Sequence, residues 1–579
     1  MTRRLLPLFL TLTAASLTAV AARPAPRSTT LQQPVQPGAP ADLVFVNGRI
    51  VTLERPAEVE AIASRGSRIV AMGSTAEVRA LAGPATEVID LRGRLMIPGF
   101  IEGHGHFTGV GQSQLQLNLM RAKSWDEIVA MVREAVKDAR PGQWIYGRGW
   151  HQEKWTATPD PNVEGFPTHD ALSRVSPVNP VLLTHASGHA TFANAKAMEL
   201  SDVMASTPDP PGGDIVKDAG GRPIGVFRET ASGLIRRGSG EPPLSDAERI
   251  ARARKVLALA SREVLSKGVT SFQDAGSSFE DVDLMKTMVG EGSIGNRLWV
   301  MLRESNTALA ANLSRYRTID HADGLLTIRA IKRSIDGALG SRGAWLFEPY
   351  SDKPGDTGRN TSPVEEIRET ARLALANGYQ LAVHAIGDRA NRETLDLFQD
   401  AFKGRDGRAL RWRIEHAQHL SPADIPRFGQ LGVIASMQGV HCTSDAPYVI
   451  ARLGPRRAAE GAYVWQKLLQ SGAIVSNGTD APVEEVSPIG SFYASVSRRS
   501  ADGIVFFGEQ RMSRLEALKS YTIHGAYAAF EEGSRGSLHV GKYADMVVLS
   551  KDILSIPEAE IPSAEIDYTI VGGKILYKR

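Results

Sequence analysis

Residues 95–106 read LMIPGFIEGHGH, an apolar run that ends in Gly103-His104-Gly105-His106. Along an extended chain, residues i and i+2 share a face, so both imidazoles can reach one point while the glycines leave space around them. Seven more runs of this kind follow: VTSFQDA from Val269, LWVMLRE from Leu298, TIRAIKRSIDG from Thr327, QLAVHAIGD from Gln380, RWRIEHAQH from Arg411, GVIASMQ from Gly432 and AIVSNGTDAP from Ala473. Near-continuous apolar runs mark strands buried on both faces, and helical stretches lie between them. Eight such strands predict an α/β fold of the (β/α)8 barrel class, with its active site at the C-terminal ends of the strands. The gap between the first two runs is too long for one helix. Its Trp-, Gly- and Pro-rich sequence, from about 113 to 243, predicts an inserted subdomain over the barrel mouth.

Outside the barrel, expected over 98–530, the pattern changes. Residues 41–97 hold short alternating runs (ADLVFVNGRIVTL, SRIVAMGS, EVIDLRGRLMIPG) punctuated by Gly and Asn, as hairpins require. The stretch 531–579, with GSLHVGKYADMVVLSKD and IDYTIVGGKILYKR, has the same character. The two ends are expected to pair into one small composite β-sandwich domain. Residues 1–22 carry Arg3 and Arg4, an apolar core and Ala19-Val20-Ala21, which fits the small-x-small rule for a secretory signal peptide cut after about Ala21. The core is short for a membrane span and Pro7 interrupts it, so no stable membrane anchor is expected after cleavage. A Pro-rich linker over 23–40 follows, and the destination read from this start is periplasmic or secreted. General secretion is the first route, with twin-arginine export left open by Thr2-Arg3-Arg4.

Composition narrows the chemistry. Lys plus Arg number 67 against 64 Asp plus Glu, a net charge of +3, and loss of Arg3 and Arg4 with the signal lowers it to +1. Nothing in that balance points to a nucleic-acid partner. The single cysteine, Cys442, excludes a disulfide framework, a Cys-based zinc site and an iron–sulfur cluster, so nitrogen and oxygen must hold any metal. Candidates stand where the apolar runs stop: His104 and His106 after the first strand, Lys332 on the fourth, His384 on the fifth, His416 on the sixth and Asp480 after the eighth. Singly, His384 or His416 could be a buried histidine bonded to a carbonyl, Asp480 a helix cap and Lys332 a partner of Asp336. Together, five strand ends offering imidazole, carboxylate or amine toward one axis read as a metal site.

The segments PGFIEGHGH, GVTSFQDAG, IKRSIDGALGSR, HAIGDRAN, RIEHAQ, SNGTDAPV and GSLHVGKYADMVVLSKD resemble the amidohydrolase superfamily, over essentially all of 41–579. Within it they resemble amidohydrolase family 3, the group of YtcJ-like proteins and N-substituted formamide deformylases. The resemblance implies that His104, His106, His384, His416 and Asp480 are metal ligands. It also implies that Lys332 is either a carboxylated lysine, formed with CO2 and bridging two divalent ions, or an unmodified amine beside one. His189 in THASGHATFANAKAM, with Gln438, His441 and Asp445 in SMQGVHCTSDAP, is implied to bind substrate. Asp336 and Arg342 could orient Lys332 or bind an anionic group. His419 reads as a supporting or surface residue.

One or two divalent ions on nitrogen and oxygen donors, zinc first, would lower the pKa of bound water from 15.7 to about 7 and polarise a carbonyl. Asp480 would then carry the proton to the leaving nitrogen. The expected function is metal-dependent hydrolysis of non-peptide C–N bonds in small-molecule linear amides of formamide or N-acyl type. Deamination or cyclic-amide hydrolysis on the same barrel is the alternative, against which stands the absence of a Glu after His384 until Glu393. A non-catalytic binding protein would be expected to lack ligands that are present here. The substrate itself and the oligomeric state, a homo-oligomer included, are not legible.

Overall fold

The computed structural model describes residues 38–579, so the signal peptide read over 1–22 and nearly all of the linker lie outside the described residues. Eight parallel strands run β1 (Phe100–Gly105), β2 (Val269–Ser277), β3 (Arg297–Leu302), β4 (Leu326–Ser334), β5 (Gln380–Ala385), β6 (Arg413–His416), β7 (Ile434–Gln438) and β8 (Val475–Gly478), each hydrogen-bonded to the next. Just beyond the end of β8, Asp480 N donates to His104 O at 2.8 Å and His106 N to Ala481 O at 2.7 Å, which draws β8 onto β1. The buried Glu102 carboxylate tightens the same seam by accepting from Thr479 N and Thr479 Oγ1. The strands read as apolar because almost every residue in them is buried, covered outside by helices such as Asp246–Ser266 and Val364–Asn377.

The interior below the mouth is not apolar. Arg413 on β6, fully buried, donates to Gln273 Oε1 at 2.5 Å, Gly103 O at 2.7 Å and Ser436 Oγ at 2.8 Å, and its Nε lies 2.7 Å from Glu415. A buried charge is tolerable only when paired and hydrogen-bonded, and here one guanidinium ties β1, β2, β6 and β7 together.

Between β1 and β2 lies a six-stranded sheet in the order Gly213–Lys217, Pro223–Glu229, Ala190–Ala193, Val181–His185, Ile145–Trp150 and Leu117–Asn118. It has its own core of Trp125, Ile128, Val132, Trp150, Phe192 and Val226. The chain ends meet in another sheet. Leu95–Pro98 pairs antiparallel with Met546–Leu549, continuing through Ile566–Val571 to Lys574–Lys578 on one side and to Arg49–Val51 and Glu58–Val59 on the other. A four-stranded sheet of Ala41–Val46, Ala61–Arg65, Arg68–Gly73 and Ala82–Asp90 shares a core with it through Phe45, Ile62, Met96, Val548 and Ile570. Arg297, at the start of β3, fastens this part to the barrel by donating to both carboxylate oxygens of Asp545 at 2.7 and 3.0 Å. Among the described residues, no helix is long and apolar enough to cross a membrane.

Candidate metal centre

The Gly-His-Gly-His ending of β1 is shaped by its neighbours. A Cβ at Gly103 would stand 2.4 Å from Asn477 O, and one at Gly105 would stand 2.5 Å from Phe272 Cζ. Larger residues would push β1 away from β8 and β2, so only the two imidazoles project. His104 is fully buried and its Nδ1 faces Glu415 Oε2, a carboxylate that accepts only. His104 Nδ1 therefore carries the hydrogen and Nε2 the lone pair. His416 is fixed in the same way, with Nδ1 2.7 Å from Gln438 Oε1, while Gln438 Nε2 donates to Ser436 O at 3.1 Å. Such partners set which imidazole nitrogen is free to ligate.

The free atoms converge. Donor atoms of His104, His416 and Asp480 lie within 4.8 Å of one another. Asp480 Oδ1 stands 3.1 Å from His106 Nε2 and 3.5 Å from His104 Nε2. The His384 ring lies 4.4 Å from that of His416, and the His416 ring 4.7 Å from that of His104. His104 Nε2, His384 Nε2 and Asp480 Oδ1 are buried without a hydrogen-bond partner. Burial holds the imidazoles neutral: it pushes His104 down to about 4, and His384 and His416 well below the ordinary histidine value. Asp480 stays ionised, because His104 and His106 outweigh its burial and hold it well below the usual carboxylate range. Neutral imidazoles and a carboxylate, unpaired and aimed at one another, fit a divalent cation.

Two of these residues are held in a conformation that non-glycine residues seldom adopt, His416 at φ +76° and Asp480 at φ +57°. Strain of this kind persists where surrounding structure imposes it, and it clusters at functional sites. Lys332 lines the same cleft as His106, His384, His416 and Asp480, and burial lowers its amine to about 8.

Other expected site residues divide. His189 comes from the insertion, pairs through Nδ1 with Glu229 Oε2 at 2.7 Å and lies 5.1 Å, ring to ring, from His384. His441 and Asp445 line an inner chamber with His384, His416 and Asp480. Gln438 holds His416 and lines neither cavity. Arg342 is also absent from both cavities, its guanidinium drawn to Asp352 at 3.1 Å. Asp336 accepts from Trp345 N, Ile386 N and Gly387 N at 2.8–3.0 Å, so it fixes the loop after β5 rather than Lys332. His419 is buried, not at the surface. Cys442 is buried, and its thiol is pushed up to about 12, which leaves it inert as a nucleophile.

Sequence reasoning passed over Glu415, Arg148 and Glu229. A charged residue inside the apolar run RWRIEHAQH was the available signal for Glu415. Nothing in the insertion's sequence marks the other two.

A family model described as "Amidohydrolase family" matches residues 87–577. The chain belongs to this family. Its membership makes it a metal-dependent hydrolase of small molecules, consistent with the donor set above. It is 33% identical over 554 residues to Protein LONG AFTER FAR-RED 3 of Arabidopsis thaliana, covering 93% of this chain and 92% of that one. It is 27% identical over 547 residues to an N-substituted formamide deformylase of Arthrobacter pascens, covering 93% and 98%. Among solved structures, an uncharacterised metal-dependent hydrolase from Pyrococcus furiosus superposes with a TM-score of 0.68 at 28% identity, over 89% of this chain and all of that one.

Proposed function

We propose that this amidohydrolase cleaves non-peptide C–N bonds of linear amides of formamide or N-acyl type. His104, His106, His384, His416, Asp480 and Lys332 would hold one or two divalent ions, zinc first. The observation that carries the reading is the convergence of His104, His416 and Asp480 donor atoms within 4.8 Å of one another at the barrel mouth, with His104 Nε2 and Asp480 Oδ1 buried and unpartnered. A bound ion supplies an activated water at neutral pH and polarisation of the amide carbonyl.

The chain's own groups do the rest. Glu415 and Gln438 keep the lone pairs of His104 and His416 turned inward. Asp480, ionised and beside His106, is placed to take the proton of the attacking water and deliver it to the departing nitrogen, which leaves poorly as an amide anion. With Gln418 Nε2 3.0 Å from His441 Nδ1, an amide hydrogen donated there leaves His441 Nε2–H free to meet a substrate oxygen in the inner chamber. His189, braced by Glu229, faces the same space from the insertion. Burial lowers the Lys332 amine to about 8, which enlarges the neutral fraction that combines with CO2; intact mass measured without acid, one CO2 heavier for a carboxylated lysine, separates that form from an unmodified amine beside one ion. The N-terminal segment is assigned to export, which N-terminal sequencing of the mature protein checks.

The test is a screen of N-formyl, N-acetyl and longer N-acyl amines and amino acids with metal-loaded protein. Release of the free amine is expected. Ammonia released from aminated rings, with linear amides untouched, would overturn the reading in favour of deamination.

A further inference from the structure

The end of β3 contributes no residue to the candidate metal centre. Two guanidinium groups, Arg148 and Arg303, line the outer cleft between insertion and barrel rim, together with Lys332 of the candidate metal centre and three carboxylates, Glu229, Asp336 and Asp480. Two of the carboxylates are satisfied within the protein, Glu229 by His189 and Asp336 by three backbone N–H groups, and Asp480 belongs to the candidate metal centre. Asp480 acts on both Arg148 and Lys332, but on Arg303 no acidic group does. Arg148 donates only to the neutral carbonyls of Pro482 at 3.0 Å and Ala186 at 3.2 Å. Lys332 belongs to the candidate metal centre. Arg303 stands one residue beyond β3, exposed to the cleft, with no ion-pair or side-chain hydrogen-bond partner among the described residues and no acidic group acting on it.

Space has been kept for this side chain. Gly276 on β2, at φ +127°, faces it, and a Cβ there would stand 3.0 Å from Arg303 Cδ and 3.5 Å from Lys332 Cβ. The Thr361 hydroxyl, which lines the same cleft, is buried without a partner. A guanidinium at the catalytic end of a barrel strand, beside the candidate ligands yet unpaired, matches a planar anion that it can grip with two parallel hydrogen bonds.

We propose that Arg303 anchors a carboxylate carried by the substrate, so that the substrate class is an amide bearing a carboxylate close to the scissile C–N bond, as in N-formyl and N-acyl amino acids, and not a neutral formamide. This rests on the hydrolase reading above and narrows it. The reacting carbonyl would sit at the histidine cluster while the carboxylate lies outward against Arg303, with Arg148 adding positive potential from the insertion.

The test compares kcat/KM on N-formyl- and N-acetyl-phenylalanine with that on the corresponding carboxylate-free phenethyl amides, in the wild type, Arg303→Met and Arg303→Lys. The wild type should prefer the carboxylate compounds at least about tenfold. Arg303→Met should lose about 30–100-fold on them, through KM, and at least tenfold more than on the neutral amides; Arg303→Lys should recover part of the loss. Equal losses on both kinds, as expected if Arg303 only supported Lys332, or a wild-type preference for the neutral amides, would overturn the proposal. Calorimetric binding of phenylacetate against phenylacetamide separates this from failure of the parent reading. Anion binding abolished in Arg303→Met, with no amide cleaved by the wild type, would keep the anchor and discard the reaction.

Discussion

Replacing Asp480 by asparagine is expected to lower kcat on a cleavable amide by about 10²–10⁴-fold, the range for loss of a positioned general acid–base. Asp480 is held by its backbone as much as by its side chain: its N–H donates to His104 O at 2.8 Å across the β8–β1 seam, at φ +57°. Asparagine is among the residues that best tolerate that conformation, so the seam should stay closed. What changes is charge and basicity at Oδ1, 3.1 Å from His106 Nε2, and with them the hold on a bound ion, so both enzymes are compared at saturating metal. The loss should therefore appear mainly in kcat, with far-ultraviolet circular dichroism unchanged. An Asp480→Asn enzyme with more than a tenth of wild-type kcat would remove this residue from the proton pathway.

The second large effect is expected at Glu415, a residue that touches neither cavity. Its carboxylate is fully buried between Arg413 and His104; burial opposes the charge, but those two partners hold it well below the usual carboxylate range. Glu415→Ala would strand the Arg413 guanidinium inside the barrel, and removing one partner of a buried pair typically costs about 3–5 kcal/mol. Glu415→Gln keeps the shape and separates the two roles of the residue. The neutral amide accepts a weaker hydrogen bond from His104 Nδ1 and no longer fixes the tautomer, so zinc affinity should fall about 10–100-fold, the usual cost of losing such a partner. Competition with a chromophoric chelator measures this directly. Affinity unchanged in Glu415→Gln would show that His104 needs no orientation from below.

The barrel was legible in the sequence because parallel strands covered on both faces cannot alternate, and LAVHA and VIASM read as strands on that ground alone. His104 and His106 were legible because the backbone stays extended through His106, one residue beyond β1, so that residues i and i+2 share a face. His416 is a different case. Alternation would send it away from Glu415, yet both reach His104, because the chain turns into the left-handed region at His416. A backbone reversal at one residue leaves no periodic trace, so the strand-end position identified His416 while its geometry stayed hidden. Arg342 failed for the converse reason: nearness to Lys332 in the chain does not survive the turn that carries it to Asp352. The insertion's strands escaped because Gly147, Gly149, Gly213 and Gly225 interrupt their apolar pattern, and with them went Arg148 and Glu229.

On the proposed function, His104 and His106 at the end of β1, with His384, His416 and Asp480, hold a catalytic metal. Metal analysis of the purified protein beside a His104→Ala/His106→Ala variant tests it most directly. About one to two divalent ions per chain in the wild type, lost together with hydrolysis in the variant, is the predicted result; a folded variant that retains its metal and full activity would contradict it.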